Sequence, residues 1–223
     1  MHSRILILIL LFLSLFLATN RTSAVIIDGI AAIVNEDIIT QSELYALEQL
    51  KLDLSGLPPE PDMLQKRIDH HLALQQMAKQ PPVALTEEEV HNALQDYAKR
   101  YGSTENLAAF LGSVGMNYTD LEVEIREQMS IHKFITDRFR PFVNITIEDA
   151  EKYYNEIYKP LIEDLGRVAP PFEESFNDVQ ALMVESQVRD KIKDWLMELR
   201  RSATINVKGR QQIVSPTGKE DDE

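Results

Sequence analysis

The chain has 223 residues, a formal net charge of −13 and no cysteine. That charge argues against nucleic acid and anionic membrane as partners, and the missing cysteines exclude disulfides, thiolate chemistry and zinc–sulfur sites. With 44% hydrophobic residues the chain can build a sizeable core in one or two domains.

Residues 1–24 read as a signal peptide. Arg4 charges the start, Ile5–Ala18 is an apolar run broken only by Ser14, and Thr22-Ser23-Ala24 is a small-residue cleavage site. The run is shorter than the roughly 20 residues of a spanning helix; an uncleaved N-terminal anchor is the alternative. The segment carries Arg4 and Arg21 and no acid, so the mature chain from Val25 is still more acidic. An exported chain without disulfides fits the bacterial periplasm, with no stable membrane insertion once the signal is removed.

Ile26–Thr40 reads as a β-hairpin, two apolar runs around Asn35-Glu36-Asp37. Thr40-Gln41-Ser42-Glu43 is a capping box that opens a helix to about Leu54, before Gly56, Pro58, Pro59 and Pro61. A second helix spans about Asp62–Lys79 with Leu64, Ile68 and Leu72 on one face; Pro81-Pro82 stops it. Thr86–Glu89 is another capping box, and Val90, Leu94, Tyr97, Ala98 and Tyr101 follow at helical spacing up to Gly102. A short helix carries Leu107, Phe110, Leu111 and Val114, with Gly115 at the left-handed cap position. The next helix starts near Thr119 with Glu122 as its box partner. Its stripe is Leu121, Ile125, Met129, His132 and Phe139, which places His132 in the core. Asn117-Tyr118-Thr119 and Asn144-Ile145-Thr146 match the glycosylation pattern but read more simply as helix starts. Thr146–Asp149 opens a helix with Ala150, Tyr153, Tyr154 and Ile157 inward. Lys159–Pro171, with Pro160, Gly166, Pro170 and Pro171, reads as a loop. A long helix follows, about Glu173–Ser202, with Val188, Ile192, Trp195, Leu196 and Leu199 inward and Trp195 buried. Thr204–Val207 alternates like a strand, and the hairpin offers it an open edge. The polar tail from Gly209 is expected to be disordered.

Catalytic chemistry is not visible. Gly112-Ser113-Val114-Gly115 lacks the spacing and the preceding strand of a nucleophile elbow. His70 and His71 lie about 100° apart on a helix and do not readily share a metal. Glu87–Glu89 occupy a first helical turn, where they offset the helix dipole. No glycine-rich phosphate loop is present. Lys191, Lys193, Arg200 and Arg201 interleave with Asp190, Asp194 and Glu198, as on a solvated, salt-bridged face. The sequence implies no enzyme, no catalytic residue, no metal and no cofactor.

Asp28–Leu44, DGIAAIVNEDIITQSEL, closely resembles the start of mature SurA-type periplasmic chaperones. Leu85–Val90, Gly115–Thr119 and Arg126–Met129 extend the likeness, as do Pro171–Glu174 and Trp195–Arg200. The resemblance implies a mainly α fold: a helical SurA-like chaperone core, with a small β-hairpin near the mature N-terminus completed by a C-terminal strand. The core would span residues 25–207. Its N-terminal part would be 25–158, its closing helix and strand 172–207, and a disordered acidic tail would occupy 208–223. The family usually inserts one or two parvulin prolyl-isomerase domains between the two parts. Here residues 159–171 stand in that place, and a folded domain needs about 50 residues. The expected activity is therefore that of an ATP-independent holdase for unfolded polypeptides, outer-membrane proteins foremost, without isomerase activity. The alternative is a dedicated module that docks on one envelope protein or forms a homodimer. Aromatic residues off the core stripes are the client-binding candidates: Tyr45, Tyr118, Phe142, Tyr153 and Tyr158.

Overall fold

The computed structural model describes residues 28–208; the signal-peptide and tail assignments lie outside them. The hairpin is β1 (Ile30–Val34) and β2 (Asp37–Thr40), with Val34 opposite Asp37. Asn35 makes the tight turn at φ 57°, a left-handed conformation that asparagine tolerates. β3 (Ile205–Val207) pairs antiparallel with the other edge of β1, so the sheet order is β2-β1-β3. The two ends of the described chain meet in one sheet, as the alternating pattern at 204–207 implies.

The helices are α1 (Gln41–Leu50), α2 (Met63–Met77), α3 (Glu87–Ala98), α4 (Thr104–Ser113), α5 (Tyr118–Phe139), α6 (Ile147–Tyr153), α7 (Lys159–Asp164) and α8 (Phe172–Ser202). Complete capping boxes start α1 at Thr40/Glu43, α3 at Thr86/Glu89 and α6 at Thr146/Asp149. α1 stops at Leu50, four residues earlier than expected, because Lys51 takes a left-handed φ of 49° and donates its N–H to Leu47 O. α5 starts at Tyr118 with Asn117 and Asp120 as its box. The Thr119/Glu122 reading was two residues late, and Glu122 instead pairs with Arg126.

Three packed clusters make the body. Leu50, Val90, Tyr97, Leu107, Leu111, Leu121 and Ile125 join α1, α3, α4 and α5. Ala32, Val34, Ile39, Ile68 and Leu72 join the sheet to α2. Ala73, Ile131, Ile135, Ile192 and Leu196 join α2 and α5 to α8. Trp195 borders this last cluster half-buried, with ring centroids 6.1 Å from Phe134 and 5.6 Å from Phe139; the indole is not the buried centre expected, and Ile192 and Leu196 hold that place. His132 is exposed rather than in the core. It lies over Gly56 (φ 66°), where a Cβ would fall 2.6 Å from the imidazole Cδ2. Any side chain at Gly56 would displace the ring.

A fourth cluster, Ile145, Ala150, Tyr154 and Val179, forms an arm in which α6 packs on the N-terminal half of α8. The segment expected as a loop is helical at Lys159–Asp164 and continues α6 through a π-helical turn, Tyr154–Tyr158. Pro160 has no N–H to give the turn before it, and a π-bulge is one way for a helix to accommodate the gap. The wider turn brings Tyr158 onto Tyr154, ring centroids 5.8 Å apart. Ile157, expected inward, is 49% exposed.

Asp69, 1% exposed on α2, binds Arg200 of α8 through both carboxylate oxygens, with Arg200 Nε 2.6 Å from Oδ1. Arg200 also reaches Glu60 at 2.6 Å, so it is an internal ion-pair partner rather than a solvated surface charge. Burial pushes the Asp69 carboxyl up even with the guanidinium opposing it. Arg200→Met leaves that carboxylate buried and uncompensated, and should cost about 3–5 kcal/mol in urea unfolding. The loss should shrink as pH falls and Asp69 takes a proton. Asp69→Leu/Arg200→Met should recover most of it; a double variant as weak as the single one refutes the pairing as the cause.

Candidate functional site

An open cleft of about 460 Å³ lies between α1 and α5. Ala46 and Leu47 form one wall, and Val114, Met116 and Val123 the other. Val123 is 49% exposed in the second turn of α5, an apolar side chain facing open space. The position of the wall follows from local sequence. Gly115 (φ 78°) ends α4, and Asn117 caps α5 through hydrogen bonds from the Thr119 and Asp120 amides. Met116 is thereby held at the cleft.

The floor is ionic. Arg67, on α2, sits between Glu43 of α1 at 2.5 Å and Glu124 of α5 at 3.0 Å. Gln128 holds the same Glu124 carboxylate at 2.8 Å and gives Leu54 N–H an acceptor at 2.7 Å. His70 Nε2 lies 3.0 Å from Glu127, and His71 Nδ1 lies 3.2 Å from Asp37 of β2. Burial raises the Glu43 carboxyl, but His71 and Arg67 outweigh it and hold it at about 2. Burial likewise raises the Glu127 carboxyl, but His70 and Arg67 more than offset it and hold it low. Gln75 and His71 keep Asp37 low. Asp37, Glu43 and Glu127 therefore stay ionised through the neutral range.

His70, Glu124 and Glu127 bring ligand atoms within 4.8 Å of one another, the one such grouping among the described residues. The Arg67 guanidinium already lies on Glu124, so a fixed cation holds one member of this group. No pair of groups here is placed as nucleophile and base.

The five aromatic candidates fall in three places. Tyr45 is 55% exposed on α1, and Tyr118 is 36% exposed at the start of α5, between the cleft residues Met116 and Asp120. Phe142 is 76% exposed in the turn Arg140–Phe142, which joins α5 to the arm segment. Tyr153 and Tyr158 are half-buried in the arm cluster. None of the five lines the cleft; Tyr45 and Tyr118 are chain neighbours of its lining residues Ala46, Met116 and Asp120. Aliphatic wall residues, Val123 and Met116, were not singled out from sequence. An apolar residue opposite a helix's buried stripe was the available signal. A second groove, about 540 Å³, runs on another side of α5 beside Leu85, Met129 and His132. The arm carries further exposed apolar residues, Leu161, Leu165 and Val168. Among the described residues no helix is long and apolar enough to cross a membrane.

Residues 27–134, which form the hairpin and α1 to most of α5, match the SurA N-terminal domain family. Chaperone SurA of Xanthomonas campestris pv. campestris is 32% identical over 117 residues, 48% of this chain and 25% of that protein. Chaperone SurA of Pseudomonas fluorescens is 27% identical over 166 residues, 70% of this chain and 37% of that protein. The chain thus spans well under half the length of these relatives. A solved structure from Campylobacter jejuni, from work on PEB4 and Cj1289 as SurA-like chaperones, aligns with TM-score 0.49 and 14% identity. That alignment covers 80% of this chain and 98% of the other. Residues 27–134, with their hairpin, capping boxes and helix order, are thus similar to the SurA N-terminal domain family.

Proposed function

We propose that the protein is an ATP-independent periplasmic holdase, which keeps unfolded polypeptides, outer-membrane proteins foremost, from aggregating. The observation that carries this reading is the cleft between α1 and α5. Its walls are apolar and partly exposed in the absence of any partner. It is open, and its floor stays charged. An extended client would meet side-chain contacts of low specificity along the walls, which suits many sequences. Its affinity would be modest, because docking costs chain entropy. The match of residues 27–134 to the SurA N-terminal domain family supports the same reading.

Isomerase activity is not part of the proposal. Between Tyr158 and Phe172 the chain forms the short helix α7 and a turn at Gly166, and the described residues offer no acid–base or nucleophilic set.

The test is suppression of aggregation of a urea-unfolded β-barrel protein on dilution. The full chain should suppress it at near-stoichiometric ratio without ATP, and binding should vary little with salt. Val123→Ser and Tyr118→Ser, each checked by circular dichroism for folding, should weaken client binding several-fold. Folded variants that bind as well as the parent place the client site elsewhere, and no suppression at all rejects the holdase reading. Steep loss of binding in salt would instead mark recognition of basic clients by the acidic surface. In a peptide assay the protein should leave proline isomerisation at its spontaneous rate, tens to hundreds of seconds; clear acceleration overturns the non-enzymatic assignment.

A further inference from the structure

His71 is caught between two carboxylates that approach different ring nitrogens. Nδ1 lies 3.2 Å from Asp37 Oδ2 on β2, and Nε2 lies 3.8 Å from Glu43 Oε1 on α1. Nε2 is shielded from solvent and has no hydrogen-bond partner. A neutral imidazole carries one N–H and one lone pair. Either tautomer therefore turns a lone pair towards an ionised carboxylate, at Asp37 or at Glu43. The imidazolium alone presents a donor to both. The arrangement repeats in weaker form next door, where His70 Nε2 faces Glu127 on α5.

The charges around the ring are unbalanced in the same sense. From its own helix His71 sees Arg67 and His70. From β2 it sees Asp37, from α1 Glu43, and from α5 Glu124 and Glu127. Four carboxylates face one guanidinium, and the two imidazoles are the groups able to make up the difference near neutral pH. Gln75 donates to Asp37 at 2.8 Å but brings no charge.

We propose that His71 is a proton-operated clasp that fastens the hairpin and α1 onto α2, and so fixes the α1 wall of the cleft in mildly acidic medium. In the protonated state Nε2–H closes on Glu43 while Nδ1–H holds Asp37. Loss of one proton releases one of the two elements. The stabilisation is present in acid and lost as pH rises and the ring gives up its second proton. At the acid end it persists until Glu43 itself titrates, at about 2. The effect on client capture rests on the cleft being the client site; the clasp itself does not.

The experiment follows the histidine rings of the full chain by nitrogen-15 NMR between about pH 5.5 and about pH 8, which bracket the roughly 6.5 of a free imidazole. In acid, both His71 nitrogens should show the protonated shift. Glu43→Gln should move the midpoint of that transition to lower pH. In parallel, urea unfolding of the parent and of His71→Gln should separate in acid and converge in base, because glutamine cannot take the second proton. A His71 ring neutral throughout the range, or a midpoint unmoved by Glu43→Gln, overturns the clasp. So does an unfolding gap between parent and His71→Gln that does not vary with pH. Should His71→Gln not fold, the NMR transition in the parent and in Glu43→Gln still decides. A holdase failure in the aggregation assay leaves these readouts unchanged, so the two ideas fail separately.

Discussion

A central strand has two edges, and the strand that covers the second edge of β1 lies at the far end of the described chain. Asn35 shows how closely the closure is specified. Its backbone N–H donates to Thr204 O at 2.8 Å, and its side-chain oxygen accepts from Thr204 N–H at 2.9 Å. The same side chain donates to Gln75 on α2 at 2.6 Å. The residue that makes the hairpin turn thus also seats β3 and anchors the sheet on a helix. Everything between is one long loop, and its closure entropy must be offset by contacts made only at the end. The Asp69–Arg200 pair and the Ile192–Leu196 packing meet that cost from α8. Low-contact-order helices then form readily, while the sheet completes late.

α8 is shared between two cores. At 31 residues it is about 46 Å long. Its buried residues fall in two groups, Ser175 and Val179 against the arm, Ile192 and Leu196 against the body. Between them the helix is largely exposed, and Arg140–Glu185 at 2.9 Å is a surface pair that contributes little. The waist between arm and body therefore has few contacts to resist bending, and local opening belongs there before it belongs to the body.

Local chemistry was legible in the sequence, and long-range chemistry was not. Two capping boxes, the helix start at Thr146 and the positive-φ glycines at 102 and 115 follow from residues within a turn of one another. The start of α5 was misread because two boxes overlap, Asn117 with Asp120 and Thr119 with Glu122; asparagine is the stronger cap, and Arg126 draws Glu122 away. Periodicity failed at Ile157 for a definite reason. It counts 3.6 residues per turn, and the π-turn ahead of Pro160 has more. His132 sits at a core spacing from Ile125 and Met129, yet α5 turns it to the groove above Gly56. The floor of the cleft was invisible in the sequence, since Arg67 meets Glu43 and Glu124 from 24 and 57 residues away.

If the cleft takes clients as proposed, its charged floor would let an apolar surface be useful without being sticky. A cleft lined throughout by Leu and Val would bury a client segment fully and release it slowly, or would recruit a second copy of the protein. Here Glu43, Glu124 and Glu127 resist desolvation, because their charge is balanced only in part by Arg67. A client side chain that descended to the floor would strip water from ionised groups. Apolar contact with a client would thus be confined to the walls, with Ala46 and Leu47 on one side and Met116 and Val123 on the other. In the proposed holdase, contact area, and with it affinity, would be limited by the floor rather than by the walls. Neutralising the floor with Glu127→Gln should deepen the usable cleft. The expected outcome is slower client release with little change in capture rate, measured by stopped-flow fluorescence of a labelled unfolded barrel protein. Unchanged release would show that clients never approach the floor, and the wall residues alone would then set the affinity.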